Sequence, residues 1–311
     1  MSARKIRAGV IGVGHLGQHH ARIYAELEDV ELTGIADTSK KRGFEIARKY
    51  RCKAYRDYRK LLGEVDVLSI AVPTTLHYKI AKEVLEYGKD ILIEKPITSE
   101  VSQARDLLER AARKGCIIQV GHIERFNPVI MSFQKILTEP KFIEAHRLCK
   151  YNPRGTDVSA VLDLMIHDID IILNMVPGPI DRIEAVGVGV IHKTADIANA
   201  RIKFENGCIA NLTTSRVSPR NLRKIRIFQP NTYISLDYEK QQGVLYQKKM
   251  FRISKKEIPF ERVEPLKAEL ESFINCVKHR INPVVSGEHG AKALEVAVQI
   301  ADQIEKGQHG K

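Results

Sequence analysis

From Ile6 to Gly121, short β-rich apolar runs alternate with stretches whose apolar positions recur every three to four residues. The runs predict strands near residues 6–11, 30–36, 66–72, 90–94 and 117–121, and the stretches predict helices near 15–28, 39–50, 75–88 and 99–114. Such alternation builds an α/β, doubly wound parallel sheet with helical crossovers. After about residue 125 the rhythm changes to alternating polarity in Arg182–Ile191, Ile197–Glu205, Cys208–Ser215 and Leu222–Phe228. That pattern predicts an open, mostly antiparallel sheet with one covered face, hence an α+β domain. Asn206-Gly207 predicts a two-residue hairpin turn with positive φ at both residues. Helices near 265–280 and 287–306 close the chain, which divides into an expected first domain, 1–124, and a second, 125–311.

Composition narrows the function classes. A chain of 311 residues with 43% apolar content can bury two cores. No apolar run approaches the roughly 20 residues of a membrane span. Residues 1–8 are basic, but glycines from Gly9 to Gly17 interrupt the apolar stretch behind them, so no export signal and no membrane partner are expected. Five widely spaced cysteines with no CxxC pair read as reduced thiols of a cytoplasmic protein, with no metal. The net charge of +12 suits nucleic acid, a nucleotide sugar or a dinucleotide equally. A non-catalytic dinucleotide-sensing or nucleic-acid-binding regulator is the reading of another class, but no helix-turn-helix or aromatic-basic interleaving is present for nucleic acid.

The chemistry begins at Gly12-Val13-Gly14-His15-Leu16-Gly17, a GxGxxG after the strand Ile6–Ile11 and ahead of an amphipathic helix. Gly12 permits a tight turn, Gly14 lets a pyrophosphate approach the backbone, and Gly17 lets helix pack on strand. About 20 residues further on, Asp37 ends the next strand, where a carboxylate accepts hydrogen bonds from ribose hydroxyls; capping of the following helix is the alternative. This is a Rossmann-type NAD(P) site in which the acid favours NAD, while Ser39, Lys40 and Arg42 leave NADP possible. Gly12, Gly14, His15, Leu16, Gly17 and Asp37 are the expected cofactor contacts.

Lys95, in Glu94-Lys95-Pro96, follows a buried-looking strand and so stands where α/β folds bind ligands, able to donate to a substrate hydroxyl. A helix near 159–175 predicts an apolar stripe, Leu162, Ile166, Ile169 and Leu173, beside a polar stripe, Asp163, His167, Asp170 and Asn174. Imidazole is well matched to taking a hydroxyl proton near neutral pH, with Asp163 or Asp170 to orient it. A solvated helix face is the plain alternative.

With these motifs and Val72-Pro73-Thr74-Thr75-Leu76-His77, the whole chain resembles the glucose-fructose oxidoreductase, inositol dehydrogenase and rhizopine-catabolism family (Gfo/Idh/MocA). The resemblance implies an NAD(P)-dependent oxidoreductase acting on a CH-OH group, with Lys95, Asp163 and His167 catalytic and in contact with substrate. It further implies cofactor contact by Pro73, Thr74, His77 and Glu94, although His77 can equally cap the next helix. The segments Val120–Pro128 and Arg216–Gln229 resemble members that oxidise the 3-hydroxyl of UDP-N-acetylglucosamine for amino-sugar lipid A synthesis. Another sugar, a cyclitol or a UDP-sugar acid stays open, since Ser159–Leu162 and Met165 depart from the small residues usual there. On this reading Arg125, Arg216, Arg220 and Lys224 contact substrate, Lys224 and Arg226 projecting from one sheet face toward a diphosphate with Arg216, Arg220 and Arg223 close by; a solvated edge strand is the alternative. The open sheet also leaves an apolar face that predicts a homo-oligomer.

Overall fold

The computed structural model describes residues 4–133, 136–152, 158–250, 252–258 and 263–309. Two compact units emerge, one holding residues up to Ile123 together with Glu264–Ala291, the other holding Glu124–Val263 and the residues from Lys292 onward.

In the first unit the chain runs β1 (Ile6–Ile11), α1 (Gly17–Glu26), β2 (Val30–Ala36), α2 (Lys40–Tyr50), β3 (Lys53–Tyr55), β4 (Val67–Ile70), α3 (His77–Glu86), β5 (Asp90–Glu94), α4 (Val101–Lys114) and β6 (Ile118–Gly121). The six strands are all parallel, in the order β3-β2-β1-β4-β5-β6. Every residue of β4 and β5 is buried, as helices on both faces require. The strand order reverses between β1 and β4, which leaves a crevice at their carboxyl ends. β3 carries too little apolar patterning to be predicted; its place beside β2 is set by the pairing of Ala36 with Tyr55.

The second unit contains α5 (Pro128–Phe133), β7 (Phe142–Leu148), a π-helical turn (Val161–Met165), α6 (Ile166–Met175) and seven further strands. These are β8 (Ile180–Val188), β9 (Ile197–Phe204), β10 (Ile209–Ser215), β11 (Leu222–Gln229), β12 (Thr232–Asp237), β13 (Gln242–Lys249) and β14 (Arg252–Ile258). They form one sheet, β14-β13-β12-β11-β7-β10-β9-β8, antiparallel except where β7 runs parallel to β10. Inward residues of alternating strands, such as Ile143, Ala200, Ile225 and Ile227, share a core with Val161, Ile166, Ile169 and Ile172. The turn at Asn206-Gly207 differs from expectation. Phe204 and Cys208 close a three-residue loop in which Gly207, at φ 84°, supplies the positive φ. Asn206 instead donates to Pro177 and accepts from the Cys208 amide.

The chain ends with α7 (Pro265–His279) and α8 (Gly287–His309). Leu266, Leu270, Phe273 and Ile274 of α7 lie in the same core as Val10, Tyr24 and Val67. The expected unbroken domain 125–311 is therefore interrupted, because the apolar side of α7 covers the parallel sheet.

Candidate functional site

A cavity of about 480 Å³ opens at the crevice between β1 and β4. Gly12, Gly14, His15, Asp37 and Pro73 line it, whereas Leu16, Gly17, Thr74, His77 and Glu94 do not. Gly12 takes φ 83°, and a Cβ on Gly17 would stand 1.8 Å from the Gly12 carbonyl oxygen, so turn and helix meet without a side chain between them. A Cβ on Gly14 would meet nothing within 4 Å, which leaves its backbone open to a ligand. No side chain caps α1, and its Gln18 and His19 amides donate to the Gly14 and Leu16 carbonyls. These residues fit a dinucleotide pyrophosphate.

Asp37 is engaged more fully than a ribose acceptor requires. Its side chain is 2% exposed. One carboxylate oxygen accepts from the Val13 amide (3.0 Å) and Arg42 Nε (2.9 Å), and the other from the Ser39 amide (2.8 Å) and Arg42 Nη2 (2.8 Å). Despite burial, these donors hold the Asp37 carboxyl below the usual carboxylate range. Ser39, whose hydroxyl accepts from the Arg42 amide, caps α2, so the alternative of capping by Asp37 falls to Ser39.

Two expected cofactor contacts point elsewhere. Glu94 is buried, and its Oε1 lies 3.0 Å from Nε2 of His20, a fully buried residue of α1. His77 opens α3, but its ring caps nothing. Nδ1 lies 2.8 Å from the Pro96 carbonyl and Nε2 2.9 Å from the Val72 carbonyl. Burial pushes its pKa down against both carbonyls. The ring thus ties the loop after β4 to the turn after β5, which is a structural task. Lys95 follows β5 half-buried, before a cis Pro96, at the carboxyl edge of the sheet.

In the second unit, Asp163 lies in the π-helical turn and His167 in the first turn of α6, both half-buried. The single α-helix expected over 159–175 is thus two pieces, and π turns are frequent at functional sites. The polar stripe also divides. Asp170 is buried, 3.5 Å from Arg125 Nη1, and burial raises its carboxyl to about 7. Arg125 is itself 4% exposed and lies against Asp170, so its charge meets a protein carboxylate.

The basic residues do not form one face. Ile225 and Ile227 point into the core shared with α6, so Lys224 and Arg226 emerge on the opposite side of the sheet, where Arg226 pairs with Glu144. Arg216 is buried and donates to the Val158 carbonyl, 3.8 Å from Asp196. Arg220 is exposed before β11, and Arg223, on the core side, lies 3.6 Å from Glu124. Alternation along β11 defines two faces without saying which of them α6 covers.

Two groups escape a reading of the sequence. Arg147 is buried against Asp168 (2.9 Å) and Glu124 (3.1 Å), and the Tyr238 hydroxyl donates to Asp168 at 2.6 Å. The signal is an arginine at an inward position of β7, after Ile143 and Ala145. Arg56, Arg59 and Lys79 also line the first unit's cavity; recognising the two arginines requires β3, which is too short to read.

Comparison with known proteins agrees with this geometry. Residues 6–122 match the model of the oxidoreductase family with an NAD-binding Rossmann fold, and residues 138–232 match the GFO/IDH/MocA C-terminal domain. A UDP-N-acetylglucosamine 3-dehydrogenase of Acidithiobacillus ferrooxidans is 34% identical over 96% of this chain and 97% of its own. Its solved structure superposes with a TM-score of 0.92 over 97% of this chain and 98% of that one. The scyllo-inositol 2-dehydrogenase (NAD(+)) of Bacillus subtilis is 24% identical over 97% and 95%. A levoglucosan dehydrogenase in complex with NADH, 18% identical, shares the fold at a TM-score of 0.88, over 97% of this chain and 98% of that one.

Proposed function

Because this chain belongs to the Gfo/Idh/MocA family of NAD-binding oxidoreductases, we propose that it oxidises the 3-hydroxyl of UDP-N-acetylglucosamine to the 3-keto sugar. The observation that carries the reading is the full-length similarity to a dehydrogenase of that substrate. Bound nicotinamide supplies the hydride acceptor for the carbinol carbon. His167 takes the hydroxyl proton with Asp163 orienting its imidazole, and Lys95 is a hydrogen-bond donor to a sugar hydroxyl. Gly12, Gly14 and His15 line the cavity that holds the dinucleotide. Arg220 and Arg223 are the cations best suited to the diphosphate, since Lys224 and Arg226 leave the sheet on the other side.

The uncovered sheet face supports a homo-oligomer. Phe142, Phe228, Tyr233 and Tyr246 stack in sequence across four strands, with centroid separations of 5.6, 4.9 and 5.3 Å. No helix among the described residues is long and apolar enough to cross a membrane, and a nucleotide-sugar substrate with reduced thiols suits the cytoplasm. Incubation with UDP-N-acetylglucosamine and NAD, following NADH absorbance and trapping the ketone, tests the reading. Inositol oxidised equally well would return the substrate to the cyclitols.

A further inference from the structure

We propose that His20 and His77 are positioning residues for Lys95: each buried imidazole holds one of the two residues that flank the lysine, and together they set where its ammonium group stands. The inference rests on the donor role read for Lys95 and not on the identity of the sugar.

A lysine carries its charge on a flexible four-carbon stem, so the placement of its ammonium group begins with its backbone. Lys95 is half-buried, but Glu94, Pro96, Ile97 and Thr98 around it are all buried. The turn that presents the lysine is therefore held from inside the protein. On one side of it, the Glu94 carboxylate is wedged between α1 and β6. Its Oε1 lies 3.0 Å from Nε2 of His20. Gly121 of β6 is paired with Glu94, and a Cβ there would stand 3.0 Å from Oε2, crowding the carboxylate. His20 is fully buried and its Nδ1 has no hydrogen-bond partner among the described residues, so the ring's polar contact is with Glu94. A carboxylate buried this far needs such a donor.

On the other side, Nδ1 of His77 lies 2.8 Å from the carbonyl oxygen of Pro96, the one backbone polar group that a proline has. Its Nε2 lies 2.9 Å from the Val72 carbonyl. The two rings belong to elements that bound the cofactor crevice: His20 lies one turn beyond Gly17 on α1, and His77 opens α3 behind Val72, Pro73 and Leu76, which line the cavity. Neither ring lines it. Cofactor cavity and lysine thus share one frame, with an imidazole at each joint. A leucine at either position would fill the core and would meet neither Glu94 nor Pro96. Movement of the Glu94–Pro96 backbone carries the lysine with it, and a misplacement of about 1 Å can lower a rate by about 100-fold.

Asparagine and glutamine separate the two nitrogens of each ring, because an Asn amide reaches about as far as Nδ1 and a Gln amide about as far as Nε2. The full-length protein is assayed with UDP-N-acetylglucosamine at saturating NAD, and NADH binding is followed by cofactor fluorescence. His20→Gln keeps a donor to Glu94 and should retain turnover to within about fivefold, whereas His20→Asn should lower kcat by at least about tenfold. At residue 77 the order reverses. His77→Asn keeps the contact to Pro96, while His77→Gln keeps only that to Val72 and should lose at least about tenfold in kcat. In His20→Asn and His77→Gln, the sugar KM and the NADH affinity should stay within about threefold of wild type. Crystal structures of the same two variants should show the Lys95 backbone displaced, an arm that needs no sugar. Equal turnover in the two variants at either position, the same order at both, NADH affinity lost in step with turnover, or an unmoved Lys95 would overturn the inference. A variant that thermal melts show to be unfolded would assign that histidine to stability and overturn it as well. Full turnover in Lys95→Met would overturn the role of the lysine and the inference with it. Wild type inactive on UDP-N-acetylglucosamine would overturn the substrate reading alone, and the position of Lys95 in the crystals would decide the inference.

Discussion

Gly14 and Gly17 share one motif and answer to different demands. The space above Gly14 is empty, whereas a Cβ on Gly17 would strike the Gly12 carbonyl. Gly14→Val should therefore give a folded protein that no longer binds NADH, while Gly17→Val should lose thermal stability itself; circular dichroism melts and fluorescence titration separate the two. Unchanged NADH affinity in folded Gly14→Val would remove the glycine argument. For the chemistry, Lys95→Met and His167→Ala should each lower turnover by at least about 100-fold with near-native cofactor affinity, because the roles proposed for both are proton transfer or oxygen polarisation. An active His167→Ala enzyme would demote that helix face to solvated surface.

At the scale of elements, α6 carries a buried carboxyl that leaves a pH signature. Burial raises Asp170 from 3.8 to about 7, against the pull of Arg125. A carboxyl that holds its proton more tightly when folded stabilises fully below about pH 4 and loses that contribution as pH rises through about 7. Asp170→Asn should flatten the fall in stability across that window, read from urea midpoints; an unchanged slope would assign it to other groups. The neighbouring network is a separate case. Asp168→Ala strands the buried Arg147 beside Glu124 alone and should cost about 3–5 kcal/mol in unfolding free energy. Much of this architecture is legible from periodicity. The five long strands of the parallel sheet and the GxGxxG turn announce themselves because burial on both faces and a tight backbone approach leave few residue choices. β3 is not legible, being short and polar, nor is the π turn, whose residues still read as a helix. The basic stretch in β11 misleads because alternation reveals two faces but not which one a distant helix covers. His77 and Glu94 lie next to the cofactor cavity in sequence yet turn into the protein, which only packing decides.

For the whole molecule, the aromatic row on the uncovered sheet face predicts association. Light scattering after size exclusion should give a mass above 35.2 kDa, and Tyr233→Asp, which sets a charge among stacked rings, should shift it toward the monomer; a monomeric wild type would contradict this. The central claim is the reaction, and one kinetic comparison tests it most directly. With NAD supplied, UDP-N-acetylglucosamine should be oxidised at C3 as NADH forms, and free N-acetylglucosamine should fall behind by orders of magnitude in kcat/KM. A diphosphate held by even two cations contributes about 1.5–3 kcal/mol per charge-assisted bond, and remote binding also orients the ring. Oxidation of free N-acetylglucosamine or inositol at a matching rate, or a ketone at a carbon other than C3, would contradict the account.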